Sequence, residues 1–160
     1  MRVYHGGTEI VEHPQVSKGR EGLDFGKGFY VTDIQRQAEL WADRIARIRL
    51  GEGIVSVYEF DELTAKDKYS YKKFDAYDVE WLNFIVANRR GDDSVKIYDV
   101  VEGGVANDRV IDTVEAYMSN MMPLETALKN LSEHRPNNQL CIRSQKVVDE
   151  CLHIVESYKI

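Results

Sequence analysis

The order of the secondary-structure elements that the sequence predicts is the strongest constraint on the fold. Segments rich in β-branched and aromatic residues, which are typical of strands, are followed in some places by a helix and in others by another strand. The predicted strands are 2–4, 29–31, 54–60, 96–101 and 140–142. Helices are predicted over 77–90, 108–119 and 124–132, and two more are predicted to begin after residues 32 and 144. Because strands and helices do not alternate regularly, we expect an α+β fold with a mixed or antiparallel sheet.

The first helix has the clearest sequence signature. Thr32 and Gln35 have the spacing of a capping box, in which the two side chains satisfy free backbone N–H groups at the start of a helix. Apolar residues then recur at helical spacing, which predicts that one face is buried: Ile34, Ala38, Trp41, Ile45 and Ile48. Gly51 and Gly53 are expected to end this helix.

The later elements carry fewer signals. Residues 61–76 are interpreted as a charged, tyrosine-rich connection, and Pro123 fits the start of the helix 124–132. The helix 77–90 is expected to bury Val79, Leu82, Ile85 and Val86. Ser144 is expected to cap a final helix that contains Val148, Cys151, Leu152 and Val155.

Length and composition favour one soluble domain, residues 1–160, without repeats or linkers. No segment approaches the roughly 18 apolar residues that a membrane span needs, and the N-terminus lacks the basic-then-apolar pattern of a signal peptide. Cys141 and Cys151 do not form a disulfide framework, so we expect a reduced, cytoplasmic location and no membrane partner. The net charge of -6 disfavours sequence-independent binding to nucleic acid, which depends on neutralising phosphates.

Several general motifs do not fit the sequence. Residues 22–28 resemble a phosphate-binding loop, but the first glycine is displaced by one position and Gly28 stands where a Ser or Thr would hold magnesium. The four histidines, His5, His13, His134 and His153, do not combine with Cys or Glu at zinc spacing, so no metal is predicted. The acidic clusters at 75–80 and 92–93 are interpreted as solvated surfaces.

Two other segments carry residues that could form a ligand-binding site. In the first, Tyr4-His5-Gly6-Gly7, a histidine at a strand end adjoins bare glycine backbone that a ligand can approach closely. The second is Phe25-Gly26-Lys27-Gly28-Phe29-Tyr30-Val31-Thr32-Asp33, followed by Ala38 and Trp41 on the next helix. Tyr30 and Trp41 are eleven residues apart, and the turn between strand and helix would let their rings form a slot for a planar, cationic heteroaromatic ring.

These segments resemble the ADP-ribosyltransferase superfamily of the diphtheria-toxin type and its poly-ADP-ribose polymerase relatives. The Tyr-His-Gly opening and the Gly-Phe-Tyr-x-Thr-Asp segment are similar to the toxin form, and Phe-Gly-Lys-Gly-x-Tyr is similar to the polymerase form. Trp41 stands where these relatives have a second stacking tyrosine. The segment 138–142 matches the third signature, a strand that opens with glutamate, but Gln139 replaces that glutamate. The resemblance extends to small bacterial proteins of this superfamily.

The resemblance implies a single ADP-ribosyltransferase-like domain with a split β-sheet core, flanking helices and NAD as substrate. His5 would bind the adenine-side ribose, and the Gly6 backbone would hold the nicotinamide carboxamide. Tyr30 and Trp41 would stack on the pyridinium ring, and Gln139 would meet the 2′-hydroxyl of the nicotinamide ribose. Lys18, Arg20 or Lys27 would neutralise the pyrophosphate. The implied catalytic residues are His5, Tyr30 and Gln139, and the implied NAD-binding residues are His5, Gly6, Gly7, Arg20, Lys27, Tyr30, Ala38, Trp41 and Gln139.

Gln139 determines which reaction we expect. An amide still positions a hydroxyl, but it neither stabilises positive charge as a carboxylate does nor takes a proton from an acceptor. We therefore expect slow mono-ADP-ribosyl transfer without chain elongation. The acceptor would be intrinsically nucleophilic or activated by Glu133 or His134. Asn137 replaces a second glutamate of arginine-modifying relatives, so arginine is a less favoured acceptor, and protein is favoured over nucleic acid.

Other interpretations of the sequence stay open. A bacterial toxin or effector with a neutralising protein partner is one expectation for the physiological role. An NAD- or ADP-ribose-binding module without turnover, and an NAD glycohydrolase, are the alternative functions. Core packing would also explain Trp41, a hydrogen-bonded histidine at a strand end would explain His5, and a solvated turn would explain Lys27.

Overall fold

A computed structural model describes residues 1–92, 94–95 and 97–160. The strands are β1 Arg2–Gly7, β2 Phe29–Val31, β3 Ile54–Phe60, β4 Tyr71–Lys73, β5 Val100–Gly103, β6 Gln139–Ile142 and β7 Leu152–Lys159. The α-helices are α1 Gln35–Arg49, α2 Glu62–Lys68, α3 Val79–Arg89, α4 Asp108–Met118, α5 Leu124–Ser132 and α6 Gln145–Cys151. The prediction of an α+β fold with mixed or antiparallel sheets is confirmed.

The strands form two sheets. In the first, the order is β1-β3-β7 and all pairs are antiparallel. In the second, the order is β2-β6-β5-β4, and only the edge pair β4–β5 is parallel. The sheets meet where Tyr4 and Thr32 exchange backbone hydrogen bonds of 2.7 and 3.0 Å. This single bridge joins β1 to the end of β2, and the two strands separate on either side of it.

The two sheets lie between layers of helices. The facing sides of the sheets enclose one buried cluster, to which Val3, Tyr58 and Leu140 belong, together with residues of α2 and α6. The far side of the second sheet packs against α3, α4 and α5 through a cluster that surrounds the fully buried Trp81. Trp81 Nε1 donates a hydrogen bond of 2.6 Å to the Gly104 carbonyl, so this large side chain is both packed and satisfied.

Helix α1 covers the far side of the first sheet with a face that differs from the predicted one. Its buried residues are Ala38, Ala42 and Ala46, whereas Ile34, Trp41 and Ile48 are exposed. The reason is the distance between the backbones: a Cβ atom on Gly6 would lie 2.1 Å from the Ala38 carbonyl oxygen. Only small side chains fit beneath a helix that lies this close to a strand. The prediction of the buried face is therefore confirmed at Ala38 and wrong at Ile34, Trp41 and Ile48, while Ile45 is half-buried.

The predicted capping box is also absent at the start of α1. The Thr32 hydroxyl accepts a hydrogen bond of 3.1 Å from the Ile34 N–H and donates one of 2.6 Å to the Asn138 carbonyl. Gln35 bonds with Glu39 and Tyr158 instead of reaching back to Thr32. The tertiary contact with residue 138 therefore replaces the local one. At the other end, Leu50 adopts a left-handed conformation with φ 54°, one residue before the glycine that was expected to end the helix.

Three further predictions are corrected. Residues 61–76 contain helix α2 and strand β4, because Asp61 caps α2 through the Thr64 N–H and Tyr71–Lys73 pairs with β5. The final helix stops at Cys151, and the chain continues as β7, which pairs along the whole of β3. The predicted strand 96–101 begins only at Val100, and residue 96 lies outside the described residues, as does residue 93 of the acidic pair 92–93.

The remaining predicted elements are confirmed to within a few residues. Strands β1, β2, β3 and β6 and helices α3, α4 and α5 occupy the expected segments. In α3, Leu82, Ile85 and Val86 are buried as expected, but Val79 is exposed and Trp81 is buried in its place. Pro123 occupies the position just before the first residue of α5, and Ser144 precedes α6 without a hydrogen bond from its side chain to the helix.

Two properties of the chain follow from the side chains that the structure describes. Cys141 and Cys151 are both buried free thiols. None of the helices in the described ranges is long and apolar enough to cross a membrane.

The close approach of α1 to β1 can be tested by adding one methyl group. Gly6→Ala would force its Cβ against the Ala38 carbonyl, so we expect a loss of about 3 kcal/mol in the free energy of unfolding. Gly51→Ala is the matched control, because its Cβ would meet only the Thr8 side chain at 3.7 Å. Urea unfolding of both variants measures the difference. Equal stability of the two variants would contradict the packing described here.

Candidate functional site

A cleft of about 850 Å³ opens where the two sheets separate beside α1. Eight of the nine residues that the resemblance assigned to NAD line this cleft: His5, Gly6, Gly7, Arg20, Tyr30, Ala38, Trp41 and Gln139. They come from segments that are distant in sequence, and they meet because β1, β2, α1 and β6 converge at the bridge between Tyr4 and Thr32. Lys27 is the exception. It does not line the cleft, and its ammonium group lies 3.5 Å from the exposed carboxylate of Glu21.

His5 is held in one orientation by β2. Its Nδ1 lies 2.8 Å from the Tyr30 carbonyl oxygen, and its ring stacks on Phe29 with 4.6 Å between the centroids. Since a carbonyl only accepts hydrogen bonds, Nδ1 carries the proton and Nε2 of the neutral ring is an acceptor. Burial lowers the pKa of His5, and the hydrogen bond to Tyr30 opposes that effect only in part. His5 therefore offers an acceptor, and not a positive charge, at neutral pH.

The glycines beside His5 leave its outer edge and the strand backbone open. A Cβ on Gly7 would lie in ordinary contact with His5 Nε2, at 3.7 Å, so the glycine leaves the accepting nitrogen uncovered on that side. Backbone N–H and C=O groups point to alternating sides along a strand. Gly6 therefore directs its polar groups to the same side as Tyr4, towards β2. At Gly6 the strands have already separated, and within the described residues nothing in β2 pairs with these groups.

Tyr30 contributes the face of its ring and not a reactive hydroxyl. The hydroxyl donates a hydrogen bond of 2.7 Å to the Gly26 carbonyl and accepts one of 3.1 Å from the Phe25 N–H. Burial, followed by the proximity of Cys141, raises the pKa of the Tyr30 hydroxyl far above its usual value. Tyr30 thus keeps its proton and links the glycine-rich segment, residues 22–28, to β2. The geometry excludes acid–base chemistry at this hydroxyl, and the stacking of the Tyr30 ring on a ligand stays a prediction.

Trp41 and Ala38 form the wall that α1 contributes. Ala38 is buried against β1, whereas the Trp41 side chain, one turn later, is 46% exposed at the mouth of the cleft. The Arg44 guanidinium lies 5.8 Å from the centroid of the Trp41 ring. Core packing therefore does not account for Trp41, because a core residue of this size would be covered on all sides.

Gln139 opens β6 at the opposite wall, where its backbone pairs in register with Gly103. The preceding residue is fixed from two sides: the Asn138 carbonyl accepts from Thr32 Oγ1, and the Asn138 side chain donates a hydrogen bond of 3.2 Å to Glu102. Among residues 1–92, 94–95 and 97–160, no partner holds the amide group of Gln139 itself. The position of Gln139 is thus fixed by its neighbours, while its side chain is available to a ligand.

The buried carboxylate of Glu102 does not replace the missing glutamate. Glu102 is opposite Leu140 in the register of β5 and β6, and successive residues of a strand face opposite sides of a sheet. Its side chain therefore lies on the side of the sheet away from Gln139. There it accepts a hydrogen bond of 2.5 Å from the Tyr71 hydroxyl and approaches Lys73 at 3.5 Å. Its role is to hold Asn138.

An ion pair at the back of the cleft was not predicted from the sequence. Arg89 Nε donates a hydrogen bond of 2.7 Å to one carboxylate oxygen of Asp24, and Arg89 Nη2 forms an ion pair with the same oxygen at 2.6 Å. The second Asp24 oxygen accepts a hydrogen bond of 2.7 Å from the Ala106 N–H. Both side chains of the pair are largely buried and line the cleft. Asp24 and Arg89 are 65 positions apart, so no local pattern connects them. Only the contact between the glycine-rich segment and the end of α3 brings them together.

The charges around the cleft contrast with those of the whole chain. Lys18, Arg20, Arg49 and Arg89 line it, against Glu9, Glu12 and Asp24. The chain as a whole carries a net charge of -6. Apart from the paired Asp24 and Arg89, three cationic side chains line the cleft against two carboxylates, and this local excess of positive charge favours an anionic ligand. Glu133 and His134, the expected activators of an acceptor, are not among the residues that line the cleft.

Among the described side chains, no group of three or more His, Cys, Asp or Glu residues lies close enough together to hold a metal ion. The expectation that no metal takes part stays a prediction.

Comparison with known families gives one result. Residues 1–154 match the model of a family described as a protein of unknown function (DUF3990). The chain belongs to the DUF3990 family. No curated protein and no solved structure matches it. The matched range includes every cleft residue named above, so the cleft lies within the DUF3990 domain.

The state of His5 in this DUF3990 protein can be measured by NMR. We expect a pKa below 6.5, because burial favours the neutral ring, with the proton on Nδ1. Below pH 6.5 the unfolded chain then binds a proton at this residue before the folded chain does. The contribution of His5 to stability is therefore complete above that pH and is lost as the pH falls. The ¹⁵N shifts of the imidazole nitrogens across a pH titration report both properties.

Two results would contradict this description of His5: a titration midpoint at or above pH 6.5, or a neutral ring protonated at Nε2. His5→Asn serves as the control for stability. It removes the titrating group, so we expect a weaker dependence of the free energy of unfolding on pH between about pH 5 and 7.

Proposed function

We propose that this DUF3990 protein binds NAD in the cleft and transfers ADP-ribose from it to a protein acceptor, slowly and one unit at a time. The observation that carries the proposal is the convergence of residues chosen from sequence alone. His5, Tyr30, Trp41 and Gln139 come from four different elements and line the same cleft. If the motifs matched the family only by chance, these residues would have no reason to lie in the same cleft.

The nicotinamide end of NAD suits the wall formed by β1, β2 and α1. A carboxamide offers an NH2 donor group and a carbonyl acceptor, and the N–H and C=O of Gly6, which β2 leaves unpaired, offer the complementary pair. The pyridinium ring would stack on Tyr30 and Trp41. Each stacking contact contributes about 0.5–1.5 kcal/mol, and the positive charge of the ring adds about 0.5–2 kcal/mol.

The rest of the dinucleotide suits the charged part of the cleft. Nε2 of His5 would accept a hydrogen bond from a ribose hydroxyl. Lys18, Arg20 and Arg89 line the cleft and would face the two negative charges of the pyrophosphate. Arg89 is restrained by Asp24, so little side-chain entropy would be lost when it binds an anion. Lys27 is not part of this proposal, because it lies outside the lining of the cleft.

The proposed reaction breaks the bond between the nicotinamide nitrogen and C1″ of the ribose. Nicotinamide leaves as a neutral molecule with the bonding electron pair, and the acceptor then bonds to the positively charged C1″ and gives up any proton it carries. Gln139 would hold the 2′-hydroxyl of the ribose. Because an amide takes no proton and Glu133 and His134 do not line the cleft, the acceptor must already be nucleophilic.

Binding of NAD can be tested through Trp41. Trp41→Ala removes one stacking surface, so we expect the dissociation constant for NAD to rise about tenfold in isothermal titration calorimetry. Leu40→Ala is the matched control: it is the preceding residue on α1, it is exposed, and it does not line the cleft. The site assignment is wrong if both variants bind NAD as the unchanged protein does.

Turnover can be tested at Gln139 with NAD that is labelled on its adenine. Gln139→Glu adds a carboxylate that stabilises positive charge on the ribose, and we expect the rate of label release to rise about tenfold, with Gln139→Ala slower than either. Label on protein supports transfer, free labelled ADP-ribose indicates hydrolysis, and binding without turnover indicates a binding module. Loss of all activity in Gln139→Glu would show that the amide has a role of its own.

A further inference from the structure

Helix α1 packs against β1 through its alanines, and most of its large apolar side chains are exposed on the other sides of the helix. Ile34, Trp41 and Ile48 lie in one row, because positions seven apart fall on the same side of a helix. Ile48 is 69% exposed, and Leu40, which lies beyond Arg44 on the helix surface, is 54% exposed. Several large apolar side chains exposed on one helix are typical of a site where another molecule docks.

Arginine side chains flank this apolar row. Helix α1 carries Arg36, Arg44, Arg47 and Arg49 against only Glu39 and Asp43, although the whole chain has an excess of negative charge. Arg36 pairs with Glu39 and Arg47 pairs with Asp43, in both cases on the helix surface. Within the described ranges of the chain, no carboxylate pairs with Arg44 or Arg49. Arg44 instead lies over Trp41, and Arg49 bonds to the Thr8 hydroxyl at 3.4 Å.

We propose that the outer face of α1, defined by Ile34, Leu40, Trp41, Arg44 and Ile48, docks an amphipathic helix of another protein that carries acidic side chains beside its apolar ones. The apolar rows repeat with helical spacing, so a helix packed along α1 would place its own apolar residues between them. Acidic residues flanking that stripe would meet Arg44 and Arg49. An apolar helix without acidic residues would leave these two charges partly desolvated and unpaired.

A second copy of the chain is a poorer occupant of this face. A twofold dimer places the same surface on both sides of the interface, so the face would meet itself. The unpaired Arg44 of one copy would then approach the positively charged helix of the other. Like charges at an interface oppose association, and α1 carries four arginines against two carboxylates.

The docked helix would also lie at the mouth of the cleft. Trp41 belongs both to the outer face and to the cleft lining, and Ile45 and Arg49 line the cleft on the following turns of the same helix. A helix packed over Trp41 would cover that side of the opening and hinder ligand entry. This consequence for the reaction rests on the proposed function, whereas docking itself does not.

The docking surface can be tested without NAD, so that its failure is distinct from failure of the proposed function. The probe is a synthetic, fluorescently labelled peptide of the length of α1, 15 residues, with leucines at helical spacing and glutamates on both flanks. A twin peptide carries lysines in place of the glutamates. Anisotropy titrations of the full chain should give a dissociation constant for the glutamate peptide about tenfold below that for its twin, with the difference reduced at high salt.

Variants of the protein locate the binding site. Ile48→Glu and Arg44→Glu should each weaken binding of the glutamate peptide about tenfold. Leu63→Glu on α2 is the control, since Leu63 is 83% exposed on another surface, and it should bind as the unchanged protein does. Circular dichroism confirms that each variant folds. Equal affinity for the two peptides, equal effects of the three substitutions, or self-association of the chain that Ile48→Glu abolishes would each overturn the proposal.

Discussion

Helix α1 lies so close to strand β1 that the Ala38 carbonyl oxygen occupies the space where Gly6 would otherwise carry a side chain. This contact sets the orientation of the whole helix. Because only alanines fit beneath it, the isoleucines and Trp41 are turned towards the cleft and the solvent. The same approach brings α1 against the end of β2, where Thr32 links β1, α1 and the segment before β6. This close backbone contact therefore determines which side chains of α1 line the cleft.

The separation of the two sheets has a chemical effect beyond shape. Tyr4 and Thr32 pair as strands of one sheet do, but two residues later Gly6 has lost its partner. The carbonyl of Tyr30, which would continue the pairing, accepts from His5 instead. A backbone donor and acceptor of Gly6 are thus exposed in the cleft. The other edge of β1 is unaffected, because β3 pairs with β1 along its whole length. Sites of this kind need no polar side chain to recognise an amide.

The sequence predicted those parts of the structure that depend on local patterns. Strand β3 is rich in β-branched and aromatic residues, and Pro123 stands at the start of α5, so both elements form where expected. The cleft residues could be chosen because Tyr4–Gly7 and 25–33 are contiguous motifs. Local patterns did not predict the buried face of α1, because a row of isoleucines and a tryptophan is the more apolar face and only the distance to Gly6 excludes it. For the same reason Asp24 and Arg89, 65 positions apart, could not be paired in advance.

The position of β6 within its sheet has a consequence for how the cleft forms. β6 lies between β2 and β5, and it is the only described strand that pairs with β2 along its length. A chain synthesised only as far as α5 has β2 and β5 but not the strand that joins them, so Tyr30 and the bridge to Thr32 lack support. β6 must therefore leave the ribosome before the cleft can form. The cleft depends on a long-range pairing between β2 and β6, and such pairings form slowly.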